Sequence, residues 1–125
     1  MPFSEKDPQY WIEIAGLDET SAEILHREGG PASISAYHYH QAAEKLLKGA
    51  ILATGSMFPF VHDLRRLHSL LSQARPDLPN VEDSIDELQS AYRNLRYPHE
   101  GTIDAAGLER IRTAYFAIAT ALRPR

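Results

Sequence analysis

Hydrophobic residues recur every three or four positions along most of the chain, the spacing that places them on one face of an α-helix. Glycine and proline, which interrupt helices, cluster in four places, at 29–31, 55–59, 76–79 and 98–101. The segments between these breaks predict five helices, at about 7–28, 32–54, 63–73, 80–96 and 102–122. Because nothing in the chain suggests a sheet, we predict an all-α fold, an antiparallel up-and-down bundle of four to five helices.

The second predicted helix divides into an apolar arc and a polar arc. The apolar arc consists of Tyr39, Ala42, Ala43, Leu46, Leu47, Ala50 and Ile51. The polar arc consists of Gln41, Glu44, Lys45 and Lys48, and two of these, Glu44 and Lys48, have the spacing of an i,i+4 ion pair. We interpret the polar arc as a solvated face of an amphipathic helix.

The fourth predicted helix ends at a group of basic residues. Its core stripe consists of Val81, Ile85, Leu88, Tyr92 and Leu95. Arg93 and Arg96 lie together beside this stripe, because residues three apart are neighbours on a helix. Pro98 disfavours the helical conformation at Tyr97, so the helix should end there, with His99 just beyond the break.

The composition narrows the classes of protein to consider. A chain of 125 residues predicts one domain over 1–125, and a net charge of −4 with a pI of about 5.8 argues against a protein that coats nucleic acid without specificity. Any contact with RNA would need a local basic patch, or a site to which two chains both contribute arginines. The absence of cysteine excludes disulfides and thiolate metal sites and is compatible with a reducing compartment.

The chain carries no signal for export or for insertion into a membrane. Its first seven residues are polar and acidic, unlike a signal peptide. No apolar run approaches the roughly 20 residues needed to span a bilayer. We therefore expect a cytoplasmic protein.

The candidate chemistry lies in Arg93, Asn94 and His99. An arginine binds phosphate and is always charged, whereas a histidine titrates near neutral pH, and the two suffice for metal-independent cleavage of RNA. Arg93 would hold the phosphate, His99 would transfer protons, and Asn94 would orient the histidine or the scissile group. The alternative is a purely structural role, in which Arg93 and Arg96 complement the dipole at a helix C-terminus and His99 is a loop residue without a chemical function.

The other histidines suggest a metal site only weakly. His38 and His40 are two apart on a helix and point in different directions, and His40 with Glu44 supplies two ligands only. We therefore predict no metal and no cofactor. His62 is interpreted as a residue at a helix start, and His68 as one on the flank of the third helix.

Three segments carry a family resemblance: Gln41-Ala42-Ala43-Glu44-Lys45, His62-Asp63-Leu64 and Arg96-Tyr97-Pro98. In this order they resemble the HEPN domain family (higher eukaryotes and prokaryotes nucleotide-binding) over roughly residues 9 to 122. The first helix adds to the resemblance through Trp11, Ala15, Asp18 and Ala22.

The resemblance implies a homodimeric helical bundle. It also implies, as an alternative to a solvated face, that the polar arc of the second helix lies near the nucleotide groove or the dimer interface. Many active members are metal-independent ribonucleases with an Arg-x(4–6)-His motif, and Arg93 to His99 fits with five intervening residues. The resemblance also implies that the two motifs of a dimer meet at one composite site. His99 stands where the commonest small form has an aspartate, and Gly101 stands where some toxin members have a tyrosine that accepts AMP, so AMP transfer is not expected.

Three hypotheses follow. The leading one is an RNA- or nucleotide-binding protein, in its most concrete form an endoribonuclease toxin of a toxin–antitoxin or defence system. The second is a non-catalytic nucleotide-binding module that partners a minimal nucleotidyltransferase encoded nearby. The third is a dimerisation scaffold without a ligand. The side chains expected to bind nucleotide are Arg96, Tyr97, Lys45 and Lys48. Tyr37 and Tyr39 could stack on bases, or they could belong to the core or an interface.

Overall fold

The computed structural model describes residues 5–96 and 103–123, and it describes side chains within these ranges except those of 93–96. The described chain contains five helices and no strand, which confirms the predicted all-α bundle. The helices are α1 Pro8–Arg27, α2 Ala32–Ala53, α3 Leu64–Ala74, α4 Glu82–Arg96 and α5 Ala105–Leu122.

Aspartate side chains begin three of the helices. The carboxylate of Asp7 accepts a hydrogen bond from the backbone of α1, Asp63 from that of α3, and Asp104 from that of α5. The cap at Asp104 explains why α5 begins at Ala105, three residues later than predicted. The fourth helix begins at Glu82, whose backbone N–H donates to Asn80 Oδ1 at 2.9 Å.

The second helix is the centre of the bundle, because α1, α3, α4 and α5 all pack against it. Its approach to α1 is close: a Cβ built on Gly49 would lie 3.0 Å from Trp11 Cβ. Fully buried side chains of α2, α3, α4 and α5 fill the core, the largest being Tyr39, Tyr115, Leu47, Leu64, Leu67, Leu71, Ile85, Leu88 and Ile118. Within the part of the chain that is described, no helix has the length and apolar character needed to cross a membrane.

The connection between α2 and α3 departs from the simple up-and-down order. After Gly55, which has a positive φ of 89°, residues 56–63 return along α2. His62 thereby reaches Glu44 in the middle of α2, and Leu64 begins α3 at that level. The third helix ends beside the C-terminal half of α2, because Arg75 lines one cavity with Leu46 and Ala53, so it runs in the same direction as α2. The first helix runs against α2, because Trp11 lies beside Gly49 and the carbonyl of Ala22 accepts a hydrogen bond from Ser35. The fourth helix also runs against α2, because Val81 lines the same cavity and Tyr92 stacks on His40.

Candidate functional site

The last turn of α4 carries the backbone of the predicted catalytic motif. Arg93, Asn94 and Arg96 are helical residues of α4, but their side chains lie outside the described part of the structure. Tyr97 and His99 lie outside the described residues altogether. The structure therefore describes the surroundings of this turn, up to Tyr92, and leaves the motif itself a prediction.

A stripe of polar side chains on α2 is buried beneath α1, the loop before α3, and α4. Its members are His40, Glu44 and Lys48, which are 1%, 4% and 7% exposed. The prediction that Glu44 and Lys48 belong to a solvated face is wrong. The physical reason is that Trp11, Phe58 and His62 lie over Glu44 and Lys48, whereas Gln41 and Lys45 of the same arc stay partly exposed.

Glu44 is the centre of this polar stripe. Its Oε2 accepts a hydrogen bond from Lys48 Nζ at 3.0 Å, one turn along α2. His62 Nδ1 lies 3.2 Å from each carboxylate oxygen, while most of the His62 ring remains exposed. The two partners compensate a carboxylate that would otherwise be unfavourable in the interior.

Lys48 is also held by aromatic rings. Its Nζ lies 5.7 Å from the ring centroid of Trp11 and 5.3 Å from that of Phe58. The two rings meet edge to face with their centroids 5.1 Å apart. These cation–π contacts and the Glu44 carboxylate anchor the ammonium group inside the bundle. Lys48 thus has a structural role here, and nucleotide binding by it stays an untested prediction.

His40 faces α4. Its ring stacks on that of Tyr92 with centroids 4.3 Å apart and planes 11° apart. Burial lowers the pKa of His40 to about 4, and the nearby Glu44 carboxylate opposes this effect only in part. The imidazole is therefore neutral near pH 7.

Gln89 lies one turn before Tyr92 and close to His40, but its amide oxygen forms a hydrogen bond with another residue. Its Oε1 accepts a hydrogen bond from the backbone N–H of Leu64 at 2.9 Å, which ties α4 to the first turn of α3. Neither ring nitrogen of His40 reaches hydrogen-bonding geometry with any described residue. Near the end of α4, the amide oxygen of Gln89 therefore has a hydrogen-bond partner, whereas the two ring nitrogens of His40 have none among the described residues.

A family model described as HEPN domain matches residues 8–121. The chain belongs to the HEPN domain family. The match confirms the resemblance found in three short motifs and extends over α1 to α5. Membership implies a nucleotide- or RNA-binding role. The comparisons found no match among curated proteins and none among solved structures.

The HEPN motif residues of α2 serve different purposes in this chain. Asp18 of α1 accepts from Lys45 Nζ and lies 2.9 Å from His38 Nδ1, so one carboxylate holds both α2 side chains. Lys45 is partly exposed and lies on the surface between α1 and α2. Asp18 offsets its charge, and nucleotide binding by Lys45 stays a prediction.

The two tyrosines near the start of α2 differ in environment. Tyr39 is fully buried beside Tyr115, with ring centroids 5.5 Å apart, and belongs to the core of this HEPN domain. Burial raises the pKa of Tyr39 to about 12. Tyr37 is exposed and its ring meets that of His38 edge to face, and base stacking by it stays a prediction.

Sequence reasoning missed the partners of Glu44 and Lys45. His62 was interpreted only as a residue at a helix start, yet its ring contacts Glu44 across 18 positions. Asp18 bridges 27 positions to Lys45. The one usable signal was that the matching HEPN segments contain both Asp18 and His62. Among the described residues, no three histidine, aspartate or glutamate side chains converge as metal ligands would.

Proposed function

We propose that this HEPN protein binds RNA as a homodimer and cleaves it as a metal-independent endoribonuclease. The observation that carries the proposal is the motif from Arg93 to His99, which begins in the last turn of α4 in a chain that belongs to the family. Since RNA cleavage would arrest growth, we infer that the protein acts as a toxin of a toxin–antitoxin or defence system.

The distribution of charge supports a phosphate site at the end of α4. Among the described side chains, eight lysines and arginines pair with an acidic side chain, namely Arg27, Lys45, Lys48, Arg65, Arg75, Arg110, Arg112 and Arg123. A paired cation attracts a phosphate backbone little, because its partner offsets its charge. Arg93 and Arg96 lie only three positions apart on α4, and two neighbouring arginines in the motif make this turn the candidate for binding RNA.

The proposed reaction is an internal transfer at phosphorus. His99 takes the proton of a ribose 2′-OH, and the oxygen attacks the adjacent phosphorus. Arg93 holds the phosphate and stabilises its charge, with assistance from Asn94 and Arg96. A second imidazole, such as His99 of the partner chain, protonates the departing 5′-oxygen. The products are a 2′,3′-cyclic phosphate and a 5′-hydroxyl.

The experiment is cleavage of end-labelled structured RNA in EDTA by the wild type and by two variants, Arg93→Ala and His99→Ala. We expect cyclic-phosphate products from the wild type and at least a tenfold loss of rate in each variant. Matched controls are Arg75→Ala, which removes an exposed arginine paired with Asp77, and His68→Ala on α3. Equal cleavage by wild type and both motif variants would refute the assignment of the motif.

A second candidate is a non-catalytic module that binds a minimal nucleotidyltransferase. The observation that favours it is the loop between α2 and α3, in which Phe60 is 96% exposed and Met57 is also exposed. Large apolar side chains in such positions are suited to burial by a protein partner. If a nucleotidyltransferase is encoded next to this protein, mixing the two should give a complex on size exclusion that Phe60→Ser weakens.

A further inference from the structure

His40 is a buried polar side chain whose hydrogen-bonding capacity is unused. It is 1% exposed, and neither of its ring nitrogens has a hydrogen-bond partner among the described residues. In the neutral ring one nitrogen is a donor and the other an acceptor, so two groups are left unsatisfied. A buried group of this kind destabilises a fold and requires an explanation.

The groups around His40 are already engaged. On α2, Glu44 binds Lys48 and His62, and on α4 the amide oxygen of Gln89 accepts from the backbone of Leu64. Each of these acceptors has a partner other than His40. The amide of Gln89 lies near the ring and opposes the lowering of the His40 pKa, but it does not reach hydrogen-bonding geometry with either ring nitrogen. The imidazole is therefore not required to complete the buried polar network of the bundle.

The ring of His40 nevertheless makes a defined stacking contact with α4. It lies parallel to Tyr92, the residue that directly precedes Arg93 in α4. Adjacent residues of one helix move together, so the stack fixes where the last turn of α4 sits relative to α2. A phenylalanine could make the same stack without burying unsatisfied nitrogens, so packing alone does not account for a histidine.

We propose that His40 is a positioning residue of the RNA site. Its ring sets the position of Tyr92 and Arg93 relative to α2. When RNA binds, one ring nitrogen gains a hydrogen-bond partner, which no described residue supplies in the free protein. The inference rests on the proposed function, since it assigns His40 a part in the RNA-bound state. His40 acts through α4 and does not touch the reacting atoms. Its removal should consequently lower kcat more than it raises KM.

The test is a graded set of variants at one position. His40→Phe keeps an aromatic ring and removes the nitrogens, His40→Leu removes the ring as well, and His40→Gln restores a donor and an acceptor. We expect His40→Phe to raise the melting temperature yet lower kcat at least tenfold at unchanged KM. His40→Leu should lose more activity than His40→Phe, and His40→Gln should recover part of it.

Ser35→Ala is the matched control, because Ser35 is also fully buried on α2 but bonds to Ala22 O, away from α4. It should lower the melting temperature and leave kcat unchanged. Wild-type kcat in His40→Phe would overturn the role of the nitrogens, and equal kcat in His40→Phe and His40→Leu would overturn that of the stack.

A second readout separates this inference from the proposed function. In the His99→Ala background, structured RNA is added while the imidazole nitrogens of His40 are followed by NMR, and binding is measured by fluorescence anisotropy. We expect RNA to bind and to shift the His40 signals. Binding without that shift would overturn the inference alone, whereas no binding by this variant or by wild type would overturn the proposed function as well.

Discussion

Lys48 Nζ and Glu44 Oε2 lie 3.0 Å apart in an ion pair that is almost fully enclosed, with side-chain exposures of 9% and 5%. Such a pair is stable only while both charges are present, since each compensates the desolvation of the other. The pair also ties the centre of α2 to the loop before α3, because Glu44 contacts His62 and Lys48 contacts Phe58. Its integrity should therefore govern the stability of this side of the bundle.

The first prediction concerns Lys48→Met, which keeps the volume of the side chain and removes its charge. We expect a loss of about 3 kcal/mol in the free energy of unfolding, because the carboxylate of Glu44 is left buried with only His62 beside it. Urea denaturation measures the loss. The exposed pair of Arg27 and Glu28 provides the control, since Arg27→Met should leave the urea midpoint unchanged.

Adding Glu44→Leu to Lys48→Met extends this test. Without the carboxylate no buried charge remains unpaired, so the double variant should recover most of the stability that the single variant loses. A double variant that is less stable than Lys48→Met would show that the charge pair is not the source of the loss.

The second prediction is a pH dependence of stability that originates in His40. Its pKa is lowered to about 4 in the folded chain, from an ordinary value of 6.5, because burial disfavours the charged ring. Between these two values the unfolded chain binds more protons, so stability is highest above pH 6.5 and falls as the pH drops to 4. The difference amounts to about 3 kcal/mol.

Melting temperatures measured between pH 4 and pH 7 check this dependence. His40→Phe should remove most of the decline below pH 6.5, whereas Ser35→Ala should lower the whole curve in parallel. His68 contributes in the same direction, because burial also lowers its pKa, so His68→Ala serves as a comparison. A decline that persists fully in His40→Phe would assign the acid sensitivity to other groups.

The helices were predictable because their signals are local. The spacing of apolar residues predicts helices at about 63–73 and 80–96, close to the observed bounds of α3 and α4. The start of α5 was predicted three residues early, at Thr102, because the cap at Asp104 was not recognised. Local signals of this kind need no knowledge of the rest of the fold.

The buried polar stripe was not predictable in the same way. A helical wheel assigns Glu44 and Lys48 to a polar arc, but it cannot show that α1 and the loop before α3 cover these two side chains. The contacts of Glu44 with His62 and of Lys45 with Asp18 join residues that are distant in sequence. Only the resemblance of the surrounding segments to the HEPN family indicated that these residues belong together.

The third prediction compares two cations in RNA binding. Asp18 offsets the charge of Lys45, so Lys45→Ala should weaken binding only slightly, whereas Arg93→Ala should weaken it strongly. In a plot of log affinity against log salt, Arg93→Ala should reduce the slope by roughly 0.7. Asp18→Asn should increase the affinity because it releases the charge of Lys45. A larger effect from Lys45→Ala than from Arg93→Ala would move the RNA site to the surface between α1 and α2.

The last prediction concerns the dimer. One chain carries a net charge of −4, and eight cations of the described part are paired with acidic side chains, so we expect a single copy to attract RNA weakly. If the arginines of two chains converge, cleavage per chain should fall steeply when dilution drives the protein below its dimer dissociation constant. Light scattering should then show the mass changing from twice 14.0 kDa to that value over the same concentrations. Circular dichroism at both ends of the range checks that the diluted chain is still folded. A monomer with undiminished activity per chain would show that one copy of Arg93 and His99 is sufficient.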